Sequence, residues 1–364
     1  MRFGKPGAVT LAVLFGMLMS GSACASATPS AGAEDRLGAT PTKVAIDGRV
    51  TANLDTPWGL AFLPDGSALV SERDSAIVKR IPAGGGRARP VGTVEQVVPF
   101  GEGGLLGLAV DPGPTPQFVF AYITTATDNR VVRIAWDGTR LGRQRPILTG
   151  IPRNSYHDGG RLLVGPDRTL FVSTGDAGNP ASAQDRGSLA GKVLRVTFAG
   201  KPAPGNPFRG SAVYTLGHRN VQGLALDGSG QLWASEFGEK DVDELNRLVP
   251  GGNYGWPVHE GAAGDPGYID PFAQWSPTAT ASPSGIAIAA GSAYVASLRG
   301  ETLYRVPLTG PRAGRPARVP VGDLGRLRNV VVAPDGTLWL VTGNTDGRGT
   351  PRAGDDQILR LSLS

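Results

Sequence analysis

The chain is nearly without cysteine: Cys24 is the only one in 364 residues. No disulfide can form within the chain, so oxidative cross-links play no part in its fold. Charge is scarce as well. Only 18% of residues are charged, and both signs are interspersed without a basic tract. That patterning argues against nucleic acid as a partner. Long helix-compatible stretches are missing, because Gly or Pro falls every few residues and each is costly inside a helix. What abounds is Gly and Pro themselves, 54 and 30 residues, close to a quarter of the chain. Average usage is roughly 12%. With 40% hydrophobic residues the chain has enough apolar content to fold. The combination predicts an all-β protein of many short strands joined by turns.

The N-terminus carries Arg2 and Lys5, an apolar run over residues 8–19, then small residues up to Cys24. This predicts a secretory signal peptide over residues 1–23, its apolar run too short to span a bilayer comfortably. A cysteine directly after Gly21-Ser22-Ala23 resembles a bacterial lipoprotein processing site. Cleavage after Ala25 or Ala27 is the alternative. The prediction is an extracytoplasmic protein, anchored to a membrane through a lipid on Cys24 or otherwise secreted. Residues 24–42 read as a flexible tether and residues 43–364 as the folded domain. Loss of Arg2 and Lys5 lowers the net charge from +5 to +3.

A short pattern, apolar-x-Arg-apolar, recurs six times. It reads Val78-Lys79-Arg80-Ile81, Val131-Val132-Arg133-Ile134, Val193-Leu194-Arg195-Val196, Leu245-Asn246-Arg247-Leu248, Leu303-Tyr304-Arg305-Val306 and Ile358-Leu359-Arg360-Leu361. Upstream of each lies another apolar segment, starting near residues 59, 107, 161, 223, 285 and 329. Three of these segments run into Pro-Asp turns, at Pro64-Asp65-Gly66, Pro166-Asp167 and Pro334-Asp335-Gly336. Further strands follow, such as Leu170-Phe171-Val172 and Leu338-Trp339-Leu340. A period of about 44 to 62 residues suits one four-stranded blade with variable loops. The expected fold is therefore a six-bladed β-propeller of four-stranded antiparallel blades. The last repeat ends after its third strand, so Lys43-Val44-Ala45-Ile46 is expected to supply the outer strand and close the ring. Two sandwich domains would be the alternative, but six copies in one order argue against it.

Function in such a ring belongs to the loops at one mouth, just before first strands and between second and third strands. His157 and His218 lie before first strands, whereas His259 lies in a long insertion. Three stretches carry a resemblance. The first is His157-Asp158-Gly159-Gly160-Arg161-Leu162, followed by Ser173-Thr174-Gly175-Asp176. The second is Tyr214-Thr215-Leu216-Gly217-His218-Arg219-Asn220-Val221-Gln222-Gly223. The third runs through Ser235-Glu236-Phe237-Gly238 and Asp243-Glu244-Leu245-Asn246 to Gly251-Gly252-Asn253-Tyr254-Gly255-Trp256-Pro257. Together they resemble the soluble, pyrroloquinoline quinone (PQQ) dependent glucose and aldose sugar dehydrogenases, the glucose/sorbosone dehydrogenase family. The likeness covers roughly residues 50–364.

The resemblance implies oxidation of an aldose to its lactone, with electrons passed to an external acceptor. It implies that His157 takes the proton of the anomeric hydroxyl, a task that suits imidazole near neutral pH. It places Arg219 and Asn220 at the quinone oxygens, where they would stabilise developing negative charge. Arg326 and Arg328 match paired arginines of the family, and Arg299 lies near a family lysine. Such cations suit a cofactor with three carboxylates. The resemblance also implies calcium, with Gly238 and Glu239 offering backbone carbonyls at one ion and Asp243, Glu244 and Tyr254 matching a second site. His218 is expected to be structural. Two positions depart from the family. Glu102 stands where Gln is usual, and as a carboxylate it would repel the cofactor unless protonated or turned toward calcium or an arginine. Tyr156 stands where Asn is common. The chain also lacks large insertions between late blades, which implies an open cleft and broad aldose specificity. Competing readings are a non-enzymatic propeller that binds carbohydrate or protein at the cell surface, and a metal-dependent lactonase on the same ring.

Overall fold

The computed structural model describes residues 43–364. The proposed signal peptide, the lipid site at Cys24 and the tether lie outside the described residues. Six four-stranded antiparallel sheets follow one another along the chain. The first blade runs from Pro57–Phe62 to Arg89–Thr93, the second from Leu105–Val110 to Leu141–Ile151, and the third from Leu162–Val164 to Val213–Leu216. The fourth runs from Val221–Leu226 to Ala273–Trp275, the fifth from Pro283–Ala289 to Ala317–Val319. The sixth takes three strands, Leu327–Val332, Leu338–Thr342 and Ile358–Leu363, and completes itself with Val44–Thr51. This is the expected six-bladed propeller, closed by an N-terminal strand. That strand is longer than the four residues read from the sequence, because irregular register between Ile46, Arg49 and Thr51 lets it follow its partner further.

The recurring sequence features each do a mechanical task. The pattern arginines sit on third strands, and Arg80, Arg195, Arg247 and Arg305 tie down the turn between strands one and two, whereas Arg133 donates to Phe198 O and Arg360 Nε has no partner among the described residues. Arg80 pairs with Asp65 and Arg195 with Asp167, while Arg305 Nε donates to Ser292 Oγ at 3.0 Å. The turn aspartates in turn accept from Ser67, Thr169 and Thr337 hydroxyls at 2.6 Å. Glycine recurs in first strands because those strands crowd the axis. A Cβ on Gly107 would meet Gly160 O at 2.2 Å, and one on Gly223 would meet Ser284 O at 2.4 Å. Adjacent blades are stitched there by side chains. Ser71 Oγ donates to Leu106 O at 2.6 Å and Ser173 Oγ to Val221 O at 2.8 Å. Asn329 Nδ2 reaches Trp58 O at 3.3 Å across the seam between the last and first blades. Apolar clusters fill the spaces between neighbouring blades. The core is thus a ring of interfaces, which holds the strand ends at fixed positions around one mouth.

Candidate active site

At that mouth a cleft of about 540 Å³ is lined by Glu102, His157, Arg219, Gly238, Glu239, Asp243, Arg299, Arg326 and Arg348, with Phe237 and Leu298 among its apolar members. A larger groove, about 1110 Å³, opens at the outer edge beside residues 49–53 and 86–90. It contains none of the motif residues. Convergence of charged and polar groups, rather than volume, marks the cleft as the functional site.

His157 sits on the loop before the third blade with φ of 60°. The left-handed backbone is held by close packing, since Gly175 lies where a Cβ would come 1.9 Å from His157 O. The His157 N–H donates to Glu102 Oε2 at 3.1 Å. The ring Nδ1 lies 2.7 Å from Asp176 Oδ1. Opposite an ionised carboxylate that nitrogen carries the proton, which leaves the Nε2 lone pair for the cleft. Asp176 is fully buried. Burial pushes its carboxyl upward, but hydrogen bonds from His157, Gly178 N–H and the Trp256 indole hold it below the ordinary carboxylate range. The neighbouring Asp158 does the opposite. Burial raises it to about 6, against donors from Asn129 and Asn154, and its Oδ2 has no partner.

Arg219 lies above the Trp256 ring at 5.5 Å and donates Nη1 to Phe237 O at 3.3 Å. Its Nε is buried without a partner. Asn220 is fully buried and does not line the cleft. Its Oδ1 accepts Gly159 N–H at 3.0 Å, and its Nδ2 is also unpartnered. Two adjacent residues thus each hold a buried nitrogen donor without a partner among the described residues. His218 is structural, as expected. It is fully buried, with Nδ1 2.7 Å from Glu236, Nε2 2.8 Å from Thr215 Oγ1 and its ring stacked on Tyr254.

Arg326 and Arg328 both reach Asp346 Oδ2, at 2.9 and 3.1 Å. Only Arg326 lines the cleft; Arg328 lies deeper and gives Nη1 to Gln222 Oε1 at 3.1 Å. Arg299 lines the cleft and is exposed, with no acidic partner among the described residues. Glu102 is answered by Arg348, whose Nη1 donates to Glu102 Oε1 at 2.8 Å. Nothing in the sequence marked Asp346 or Arg348 for the site, and Trp256 stood in the third motif without a role. The Arg348 loop, Asp346-Gly347-Arg348-Gly349, shows no motif, and its partner is 246 residues away.

The residues matched to calcium divide. No N–H of the described residues donates to the carbonyls of Gly238 and Glu239. The N–H groups of Glu239, Lys240, Asp241 and Val242 instead all turn to Glu260 Oε1, at 2.7 to 3.2 Å. Asp243 accepts Gly238 N–H at 2.9 Å and Ser282 N–H at 2.7 Å, so both its oxygens are engaged. Burial raises it to about 7. Burial and the neighbouring Glu236 push Glu244 well above the ordinary carboxylate range. The Tyr254 hydroxyl is used internally, donating to Arg247 O at 2.7 Å and accepting Val249 N–H at 2.9 Å. Only its backbone carbonyl is left to offer an ion. Among the described residues no three His, Cys, Asp or Glu side chains form a metal-holding cluster.

The family model for Glucose / Sorbosone dehydrogenase matches residues 54–359. The chain belongs to that family. Similarity is high to the PQQ-bound form of aldose sugar dehydrogenase from Streptomyces coelicolor. The two share 51% identity with a TM-score of 0.86, over 90% of this chain and 100% of that one. Quinoprotein glucose dehydrogenase B of Acinetobacter calcoaceticus is 33% identical over 66% of this chain and 59% of that protein. Aldose sugar dehydrogenase YliI of Escherichia coli is 28% identical over 81% of this chain and 89% of that protein. The protein is accordingly an oxidoreductase of the sugar dehydrogenase family.

Proposed function

We propose that this enzyme oxidises aldoses at C1 to the lactone with PQQ as cofactor and hands the electrons to an external acceptor. The observation that carries the reading is that one cleft is lined by both His157, backed by Asp176, and Arg219, whose Nε has no partner. Bound there, PQQ would supply the hydride acceptor. His157 Nε2 would take the proton of the anomeric hydroxyl, and Asp176 would stabilise the imidazolium so formed. Arg219 and Asn220 would donate to the quinone oxygens. Arg299 and Arg326 suit the cofactor carboxylates, and Arg348 screens Glu102 from them. Arg328 would contribute from below through the shared Asp346. Calcium fits the free carbonyls of Gly238 and Glu239 as a hard cation taking oxygen ligands. The open cleft supports a broad range of aldoses. The Arg348 pairing counts against a non-enzymatic reading that rests on repulsion by Glu102.

The leader supports a location outside the cytoplasm, with Cys24 as lipid site. Mass spectrometry of the mature N-terminus checks this, and an unmodified chain starting beyond Cys24 would exclude the anchor. For the activity, cofactor-free protein is mixed with PQQ and calcium. A bound-quinone absorption band is expected, bleached on adding an aldose. No band at micromolar PQQ would sink the dehydrogenase reading.

A further inference from the structure

Trp256 has no role in the reading above, yet it touches both halves of the site. Its indole Nε1–H donates to Asp176 Oδ2 at 2.9 Å, and its ring lies 5.5 Å from the Arg219 guanidinium carbon. Asp176 Oδ1 is already occupied by the His157 ring at 2.7 Å and Gly178 N–H at 2.9 Å. Trp256 alone holds the second oxygen. Without that bond the carboxylate is held at Oδ1 only, by Gly178 N–H besides the ring, and the acceptor of His157 is no longer clamped from both sides. Trp256 is itself anchored from behind. Its N–H donates to Gly217 O at 3.0 Å, and its carbonyl accepts Gln184 Nε2 at 2.7 Å.

We propose that Trp256 is a positioning residue: it locks the Asp176 carboxylate, and through it the tautomer and aim of His157, while its ring face seats Arg219. The proposal rests on the dehydrogenase reading for what His157 and Arg219 do. Other charged and titratable groups around the pair are accounted for. Glu102 accepts the His157 backbone N–H and is backed by Arg348. Tyr156 meets the His157 ring edge-on at 4.6 Å. Asp158 turns its Oδ1 to Asn129 and Asn154. None of these hydrogen-bonds to Asp176 Oδ2.

A carboxylate that turns away from the ring no longer favours Nδ1–H and no longer stabilises the imidazolium. Two readouts follow. In cofactor-free protein with labelled histidines, only three rings need assignment. Nitrogen-15 NMR is expected to find His157 wholly as the Nδ1–H tautomer in the parent and as a mixture in Trp256→Phe. In PQQ-loaded enzyme the acid limb of kcat/KM is expected to move down by as much as about one pH unit in that variant. Its kcat should fall about tenfold with KM little changed, as for a misaimed base. If Trp256→Phe does not fold, benzothienylalanine at position 256 keeps the shape and removes only the N–H. A folded variant with His157 still wholly Nδ1–H and an unmoved acid limb overturns the proposal. The tautomer is read without cofactor, so failure of the parent to oxidise aldoses would remove the dehydrogenase reading and leave the brace to be judged by NMR.

Discussion

Glu102 shows how one partner changes the meaning of a residue. Alone, a carboxylate at the cleft would repel a tricarboxylate cofactor; paired with Arg348 at 2.8 Å it is neutralised and also caps the His157 backbone. Arg348→Ala should therefore weaken PQQ binding roughly tenfold, about 1.4 kcal/mol. Adding Glu102→Gln should restore it, because the unpaired charge is gone. Absorbance titration of both variants checks this, and equal affinity in all three proteins would sever the pair from cofactor binding. His157→Ala makes a complementary prediction. Turnover should fall by about 10²–10⁴ as general-base catalysis is lost, while the bound-quinone band persists at similar PQQ concentration. Unchanged turnover would remove His157 from the chemistry. His157 was legible in the sequence because its motif is local. Arg348 was not, because its partner lies on another blade.

At the scale of elements, the segment between strands Thr169–Ser173 and Lys192–Thr197 supports the site from behind. It contains Pro180–Ala183, a single turn of 3-10 helix, and Gln184, which holds both Asn253 and Trp256. Lys192 ties it down: fully buried, its Nζ donates to Ser182 O, Ala183 O and Ala190 O at 2.7, 3.0 and 2.6 Å. A lysine in Gly191-Lys192-Val193 reads as a surface residue in sequence, since nothing local marks three carbonyls converging on it. Burial pulls its ammonium down to about 8, with Asp185 acting in the opposite direction. Below pH 8 folded and unfolded chains both hold this proton, and the folded chain bears the full cost of burying it. Between about 8 and the ordinary lysine value of 10.5 the folded chain releases it first. The unfolded chain then binds more protons, so stability rises with pH across that window. Lys192→Met should lack this rise. Thermal melts of parent and variant from pH 7.5 to 10.5 are expected to diverge in the parent's favour; parallel curves would show that the group does not titrate there.

Across the whole molecule, the ring depends on a pairing between the two ends of the described chain. Val44–Thr51 runs antiparallel to Ile358–Leu363, with Val44 opposite Leu363. Val50 from this strand is buried with Trp339 and Ile358 against the first blade. Deleting the chain through residue 51 should bare one edge of the sixth blade and lower the melting temperature by about 10 °C or more. PQQ affinity should fall with it, because Arg326 and Arg328 stand on that blade. A peptide spanning residues 43–52 is expected to restore both in part; a deletion that melts like the parent would show that the ring closes without this strand. The sequence alone determined the number of blades and set His157 and Arg219 just ahead of first strands, where the cleft now has them. Those features rest on short-range patterns: strand alternation, turn residues and contiguous motifs. Only the tertiary structure decided that Glu102 meets Arg348, that Asp346 gathers two arginines and that Trp256 braces Asp176 from 80 residues away. Such partners stand on different loops, and their approach is set by closure of the ring rather than by any spacing along the chain.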